Sequence, residues 1–110
     1  LIGGIGSVDA ANWYTVGTDS NGITWSIDND SVKKDDKKAV LDIKAMDYEG
    51  YHYIVTEEFN HKKREVKDVK VTLYNPKGEV VKQEQPNKST RKVEQGTPAY
   101  AVYTLIWGDK

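Results

Sequence analysis

Metal ligation, acid–base work and anion binding each need particular side chains, and in this chain the densest supply lies between Phe59 and Val71, FNHKKREVKDVKV. That stretch holds His61, the cations Lys62, Lys63 and Arg64, and the carboxylates Glu65 and Asp68. The only other histidine is His52, nine residues earlier, with no acidic residue in a binding register between the two. Neither His-Glu-x-x-His nor His-x-His occurs, so the spacing that would put two imidazoles on one metal is missing. Asp19-Ser20-Asn21-Gly22 and Asp28-Asn29-Asp30 look like fragments of calcium loops. Neither is followed by the distal glutamate such a loop requires, and turn chemistry accounts for both.

Nucleophilic chemistry finds little support. There is no cysteine, which removes thiol catalysis, thiolate metal sites and disulfides together. Ser7, Ser20, Ser26, Ser31 and Ser89 lie outside any Gly-x-Ser-x-Gly elbow. Glu57 and Glu58 are adjacent in sequence, but on a strand neighbours point to opposite faces. A carboxylate pair built from distant residues stays open at this point. The glycines of GGIG, residues 3–6, lead into no strand–helix unit that could cradle a phosphate. No catalytic or metal-ligating set is marked, no cofactor is implied, and no ligand-binding residue can be assigned.

The basic stretch admits two readings. Cations following Tyr51, Tyr53 and Phe59 could bind single-stranded nucleic acid on a sheet. Those aromatics share the parity that must form the core, however, and Glu57, Glu58, Glu65 and Asp68 dilute any field that would hold phosphates. The preferred reading is a charged rim at a strand end, which discourages edge pairing, and no nucleic-acid partner. Net charge is −1. Residues 1–32 carry four aspartates and no Lys or Arg, whereas residues 33–92 carry fifteen Lys and Arg against eleven Asp and Glu.

The elements that must position these residues follow from period and punctuation. A chain of 110 residues, 37% apolar, suits one domain, and its eleven aromatics supply much buried area per residue. Residues 1–12 read as the remnant of a secretory signal or a flexible leader, because Val8-Asp9-Ala10 has the small-residue spacing of a processing site. Residues 13–110 form the domain. WYTVG from Trp13 begins a strand, Asn21-Gly22 fits a type I′ turn, and ITWSID alternates with Ile23, Trp25 and Ile27 on one face. KKDDKK is a charged hairpin tip around Asp35-Asp36. Ala39 to Met46 forms a strand with Leu41, Ile43 and Ala45 inward, and Tyr51 to Asn60 forms the next. In that strand Glu57 interrupts the inward face, which implies a bulge or a rim position. DVKVTLYN predicts Val69, Val71 and Leu73 inward; Asn75-Pro76-Lys77-Gly78 is a tight turn; Glu79 to Gln85 is a short strand near an edge. Residues 85–96 read as loop. Thr97 as cap, Pro98 in the first turn and Gly108 past the end predict a helix over 98–107, although its composition is also strand-like. The expected fold is α+β and mainly β. It is an antiparallel meander of about six strands, open or rolled toward a barrel, with one C-terminal helix packed on it. No run approaches the length of a membrane helix, and no internal repeat stands out.

The order of these features resembles the bacterial surface-adhesin protein E family of small secreted or outer-surface domains. The resemblance is carried by Trp13, by GITWSIDNDSV from Gly22, by KKAVLDIK from Lys37 and by EEFNHKKRE around His61. LYNPKGEVV from Leu73 and KVEQGTPAYAVYTLIW at the end complete it. Where that family often pairs a cysteine in the basic segment with one near the C-terminus, this chain has Asn60-His61 and Ile106-Trp107. The resemblance implies that these two places adjoin. It also implies a non-enzymatic, extracytoplasmic binding domain, secreted or at the cell surface, adhesin-like and directed at a host or cell-surface protein. The alternative is a periplasmic small-ligand or lipid-binding module with a pocket between helix and sheet, lined by Trp25, Tyr51, Tyr53 and Trp107. A homodimer through an edge strand or the leader remains open in the sequence.

Overall fold

Antiparallel pairing follows the chain order almost without exception. The computed structural model describes residues 11–108, so the reading of residues 1–10 as a leader lies outside the described residues. The strands are β1 (Trp13–Thr18), β2 (Thr24–Asp28), β3 (Lys33–Lys34), β4 (Lys38–Met46), β5 (His52–Asn60), β6 (Glu65–Tyr74), β7 (Val80–Glu84) and β8 (Arg91–Lys92). A 3-10 turn at Asn29–Ser31 separates β2 from β3, and α1 spans Pro98–Trp107. The sheet runs β1-β2-β4-β5-β6-β7, with β3 on β4 and β8 on β6. It is open between the edges β1 and β7, not a barrel.

The two extra strands are second halves of interrupted rows. β2 pairs with Ile43 to Met46 of β4, and β3 pairs with Ala39 and Val40. Between them the 3-10 turn lifts the chain away, and the Asp42 N–H, which loses its ladder partner, donates to Ser31 Oγ at 2.8 Å. β7 and β8 divide β6 in the same way, and the Asp68 N–H between them donates to the Asn87 carbonyl. Residues 85–96 therefore hold a strand where the sequence suggests only loop.

One end of the sheet repeats a single device. Asp19, Asp47 and Asn75 stand at intervals of 28 residues, each with a glycine three positions later. In all three, the side-chain Oδ1 accepts two backbone N–H groups of the loop, and the glycine N–H closes on the first residue's carbonyl. The first residue's own N–H bonds the carbonyl four positions on. This is a three-residue loop with a left-handed glycine, not the two-residue type I′ turn that Asn21-Gly22 suggests; Asn21 keeps a negative φ. At Gly50 the left-handed φ of 98° is joined by a close approach, since a Cβ there would stand 3.0 Å from Pro76 Cβ.

The core lies on one face only. Ile27, Ala39, Leu41, Ile43, Phe59 and Val66 project from four neighbouring rows toward Val102, Tyr103 and Ile106 of α1. Each Val, Leu, Ile or Phe side chain among them contributes about 1.5–3 kcal/mol on full burial. α1 has the ends its sequence predicts. Thr97 Oγ1 accepts the Tyr100 N–H, and the Gly108 N–H donates to the Thr104 carbonyl. Lys34 Nζ adds a cation at the C-terminus by donating to the Ile106 carbonyl at 2.6 Å. No helix among the described residues is long and apolar enough to cross a membrane.

Alternation fails where bulges fall. Thr56 pairs with Lys70 but Glu57 pairs with Asp68, so Val69 is an extra residue and is 42% exposed rather than inward. Upstream of it the buried parity of β6 passes to Val66 and Asp68. The irregularity that Glu57 announces is thus real, and the extra residue sits on the partner strand. Two more bulges, at Thr15/Gly17 of β1 and opposite Leu73/Tyr74 in β7, bend both flanks of the sheet.

Candidate functional site

Among the described residues, the face of the sheet turned away from α1 forms an open hollow. Register places three cross-strand rows on it: Asp42–Thr56–Lys70, Lys44–Ile54–Thr72 and Met46–His52–Tyr74. Trp13, Asp28 and Asp30 close the β1 side. Except for Met46, the residues of these rows line an open cleft of about 730 Å³.

Hydrogen bonds fix most of its polar groups. Thr56 Oγ1 donates to Asp42 Oδ1 at 2.6 Å. Asp28, although polar and on the supposed solvent side of β2, is buried, and its Oδ1 accepts the N–H groups of Asn12 and Asp30. Thr72 is buried and its hydroxyl donates to Gln83 Oε1 at 3.3 Å. His52 stacks on Tyr74 with ring centres 5.3 Å apart, while its Nδ1 lies 2.9 Å from the Gly50 carbonyl. Among the exceptions is Lys44. Its ammonium sits 4.6 Å from the centre of the Trp13 ring, and no ion pair is formed by Lys44 or Lys70 among the described residues. Loss of water around Lys44 pushes its pKa below the ordinary lysine value.

A second cavity, about 350 Å³, lies between α1 and the β1–β2 edge and is lined by Tyr14, Ile27, Val32, Leu105 and Ile106. It occupies the place the sequence suggests for a ligand pocket, but the residues differ. None of Trp25, Tyr51, Tyr53 and Trp107 lines it. Trp25 packs on the core and donates its indole N–H to Asp19 Oδ2, holding that carboxyl below its ordinary pKa. Tyr51 and Tyr53 are exposed, with the Tyr53 hydroxyl donating to Glu84.

Trp107 instead meets His61. The two rings stack at 4.3 Å with an interplanar angle of 2°. The Trp107 indole N–H donates to the Asp35 carbonyl, and the Tyr103 hydroxyl donates to the His61 carbonyl at 2.7 Å. Residues 60–61 and the end of α1 therefore adjoin. Lys62, Lys63 and Arg64 form the turn between β5 and β6, with Arg64 in a left-handed conformation over the Tyr103 ring.

A carboxylate pair does form, and it was not visible in the sequence. Glu57 and Asp68 meet across the bulge, and Arg91 of β8 binds both, at 3.3 Å and 2.9 Å. Burial, then the hydrogen bond and charge of Asp68, push the Glu57 pKa up to about 8 against a partial pull from Arg91. The pair is capped by Arg91 and borders neither cavity. No cluster of His, Asp or Glu suited to a metal ion occurs among the described residues. Comparison with family models, with curated proteins and with solved structures returned no match for this chain.

Proposed function

We propose that this chain is a non-enzymatic extracytoplasmic binding domain, secreted or at the cell surface, that engages its ligand on the open face of the sheet. The observation that carries the reading is the hollow itself. It is built mainly from regular strands, Asp28, Asp42, Thr56 and Thr72 are held by hydrogen bonds, and Lys44 and Lys70 form no ion pair among the described residues. The Thr56 hydroxyl donates to the Asp42 carboxylate, but among the described residues no third group orients that carboxylate as nucleophilic catalysis requires. Export rests on the small-residue spacing at residues 8–10 and on the adhesin-family resemblance. The His61–Trp107 stack supports that resemblance, because it joins the two places where such domains often carry cysteines.

The test is binding of the purified domain to a panel of matrix and serum proteins and to intact cells. The wild type is compared with a K44E/K70E variant that keeps its circular dichroism spectrum. The reading requires a bound partner and at least a tenfold loss in the variant. Equal binding by both proteins refutes the assignment of the face, and an empty panel refutes the adhesin-like function. The groove beside α1 favours a second reading, a module for a small apolar ligand, because Tyr14 and Leu105 are each 49% exposed along it. Native mass spectrometry of freshly purified protein decides that case by the presence or absence of a retained small molecule.

A further inference from the structure

Resting on the reading of the open face as the ligand site, we infer that the ligand is an acidic glycan, a chain of sugar rings bearing carboxylates. Three features of the hollow argue for this chemistry together. The first is the placement of charge. Lys44 on β4 and Lys70 on β6 stand two strands apart and two residues out of register. With a strand spacing near 4.8 Å and a rise near 3.4 Å, their Cα atoms are roughly 12 Å apart. Ile54 and Thr56 of β5 stand between them, and Asp42, two residues from Lys44 on β4, holds the opposite end of the Asp42–Thr56–Lys70 row. The patch thus sets two separated cations beside one acceptor carboxylate. A chain of hydroxylated rings with carboxylates fits it, its acids meeting the ammonium groups and its hydroxyls donating to Asp42.

The second feature is what the lining repels. Asp28, Asp30 and Asp42 border the same hollow as the two lysines. A dense polyphosphate such as nucleic acid would bring many charges against those three carboxylates. A cationic peptide would meet the lysines. An extended peptide also has no backbone to pair with, because this is the middle of a sheet whose strands are paired on both sides. Sparse negative charge on a polyhydroxylated frame satisfies both signs of the lining.

The third feature is apolar. Trp13, Ile54 and the stacked His52–Tyr74 pair give the hollow flat and aliphatic surface beside its charges. Sugar rings have C–H faces that need such surface, and the edge-to-edge length of the cleft, from β1 to β6, suits several rings rather than one small anion.

The experiment is a two-dimensional amide NMR titration with tetragalacturonate, with its fully methyl-esterified form, with sialyllactose and with sodium acetate. Expected is saturable binding of at least one acidic sugar, with shifts centred on Lys44, Ile54, Thr56, Lys70 and Thr72. The methyl ester, which keeps the rings and loses the charges, should bind at least tenfold more weakly. K44M and K70M should each weaken binding at least fivefold, while E94Q, at an exposed position before α1 that lines neither cavity, should leave it unchanged. Tetragalacturonate alone points to an in-chain acid of a polysaccharide, and sialyllactose alone points to a terminal acid of a glycoprotein; either supports the chemistry. Binding of neither acidic sugar, equal binding of the ester, shifts outside the face, or acetate acting equally well at matched charge overturns it. If K44E/K70E abolishes binding to cells while no acidic sugar binds, the ligand class alone is wrong. If K44E/K70E binds cells as the wild type does, the assignment of the face falls with it.

Discussion

Replacing Glu57 by glutamine should make this protein more stable in alkali, against the usual outcome for a substitution on the buried face of a strand. Glu57 is held between Asp68 and Arg91 with only 14% of its side chain exposed, and its folded pKa is about 8 against an ordinary value of 4.5. Below pH 4.5 both folded and unfolded chains hold the proton, so its contribution to stability is fully present there. Between about 4.5 and 8 the unfolded chain has released the proton and the folded chain has not, so stability declines as pH rises toward the folded pKa. At full separation the loss is of order 5 kcal/mol, since each pKa unit corresponds to about 1.4 kcal/mol. The physical cause is that the ionised state sets two buried carboxylates against one guanidinium.

Glutamine keeps the shape and carries no proton to lose. Its amide N–H can donate to Asp68 as the protonated acid does, and its carbonyl can accept from Arg91. Urea midpoints measured at intervals from pH 4.5 to 9.5 should therefore converge for the two proteins at the acid end. They should then separate steadily, with E57Q the more stable by about 2–4 kcal/mol at pH 9, where neighbouring charges offset part of the full linkage. A potentiometric count of protons taken up on folding at pH 7 should be higher by close to one in the wild type. Parallel stability curves over the whole range would show that Glu57 is ionised in the folded protein at neutral pH, and the account of the bulge would be wrong.

Four further substitutions probe the frame. Gly50→Ala meets both a left-handed φ and Pro76 Cβ at 3.0 Å, so it should cost more than about 1 kcal/mol in a thermal melt, with the loss shared between the second and third turns. His61→Ala and Trp107→Ala should each destabilise, and a double-mutant cycle should return a coupling of about 0.5–1.5 kcal/mol for the stacked rings; zero coupling would mean that the two rings act only through separate neighbours. Arg91→Met removes the cation that ties β8 to the bulge. Hydrogen exchange should then accelerate at the amides of Val93 and Asp68, whose bonds to Arg64 and Asn87 hold that segment, and should stay unchanged in β2 and β4.

The parts of this fold that were legible are those where one local rule decides. Asp19, Asp47 and Asn75 each precede a glycine by three residues, and a short acceptor plus a left-handed glycine is sufficient to reverse a chain, so the first and third turns could be placed, although the first was expected as a two-residue loop. Thr97, Pro98 and Gly108 bound α1 for the same reason. What was lost involves a count that the pattern does not carry. One extra residue at Val69 exchanges inside for outside along the rest of β6, so Asp68 joins Glu57 on the buried face and Arg91 is drawn from a supposed loop to meet them. Nothing in the alternation of EVKDVKV says which valine is the surplus one.

The hollow escaped for a different reason. Alternation sorts side chains into those that avoid water and those that tolerate it, and a binding face belongs to the second class. Asp42, Lys44 and Thr56 would look the same in sequence on a flat sheet facing solvent. Curvature makes them the lining of a hollow, and here bulges bend the sheet on both flanks. One signal was nevertheless present. Ile54 and Trp13 are apolar residues on the polar parity of their strands, where a purely solvated face has no use for them. Both line the hollow, beside the two lysines. These out-of-phase apolar residues, in otherwise regular amphipathic strands, therefore mark the proposed ligand face, which in this chain lies opposite the helix.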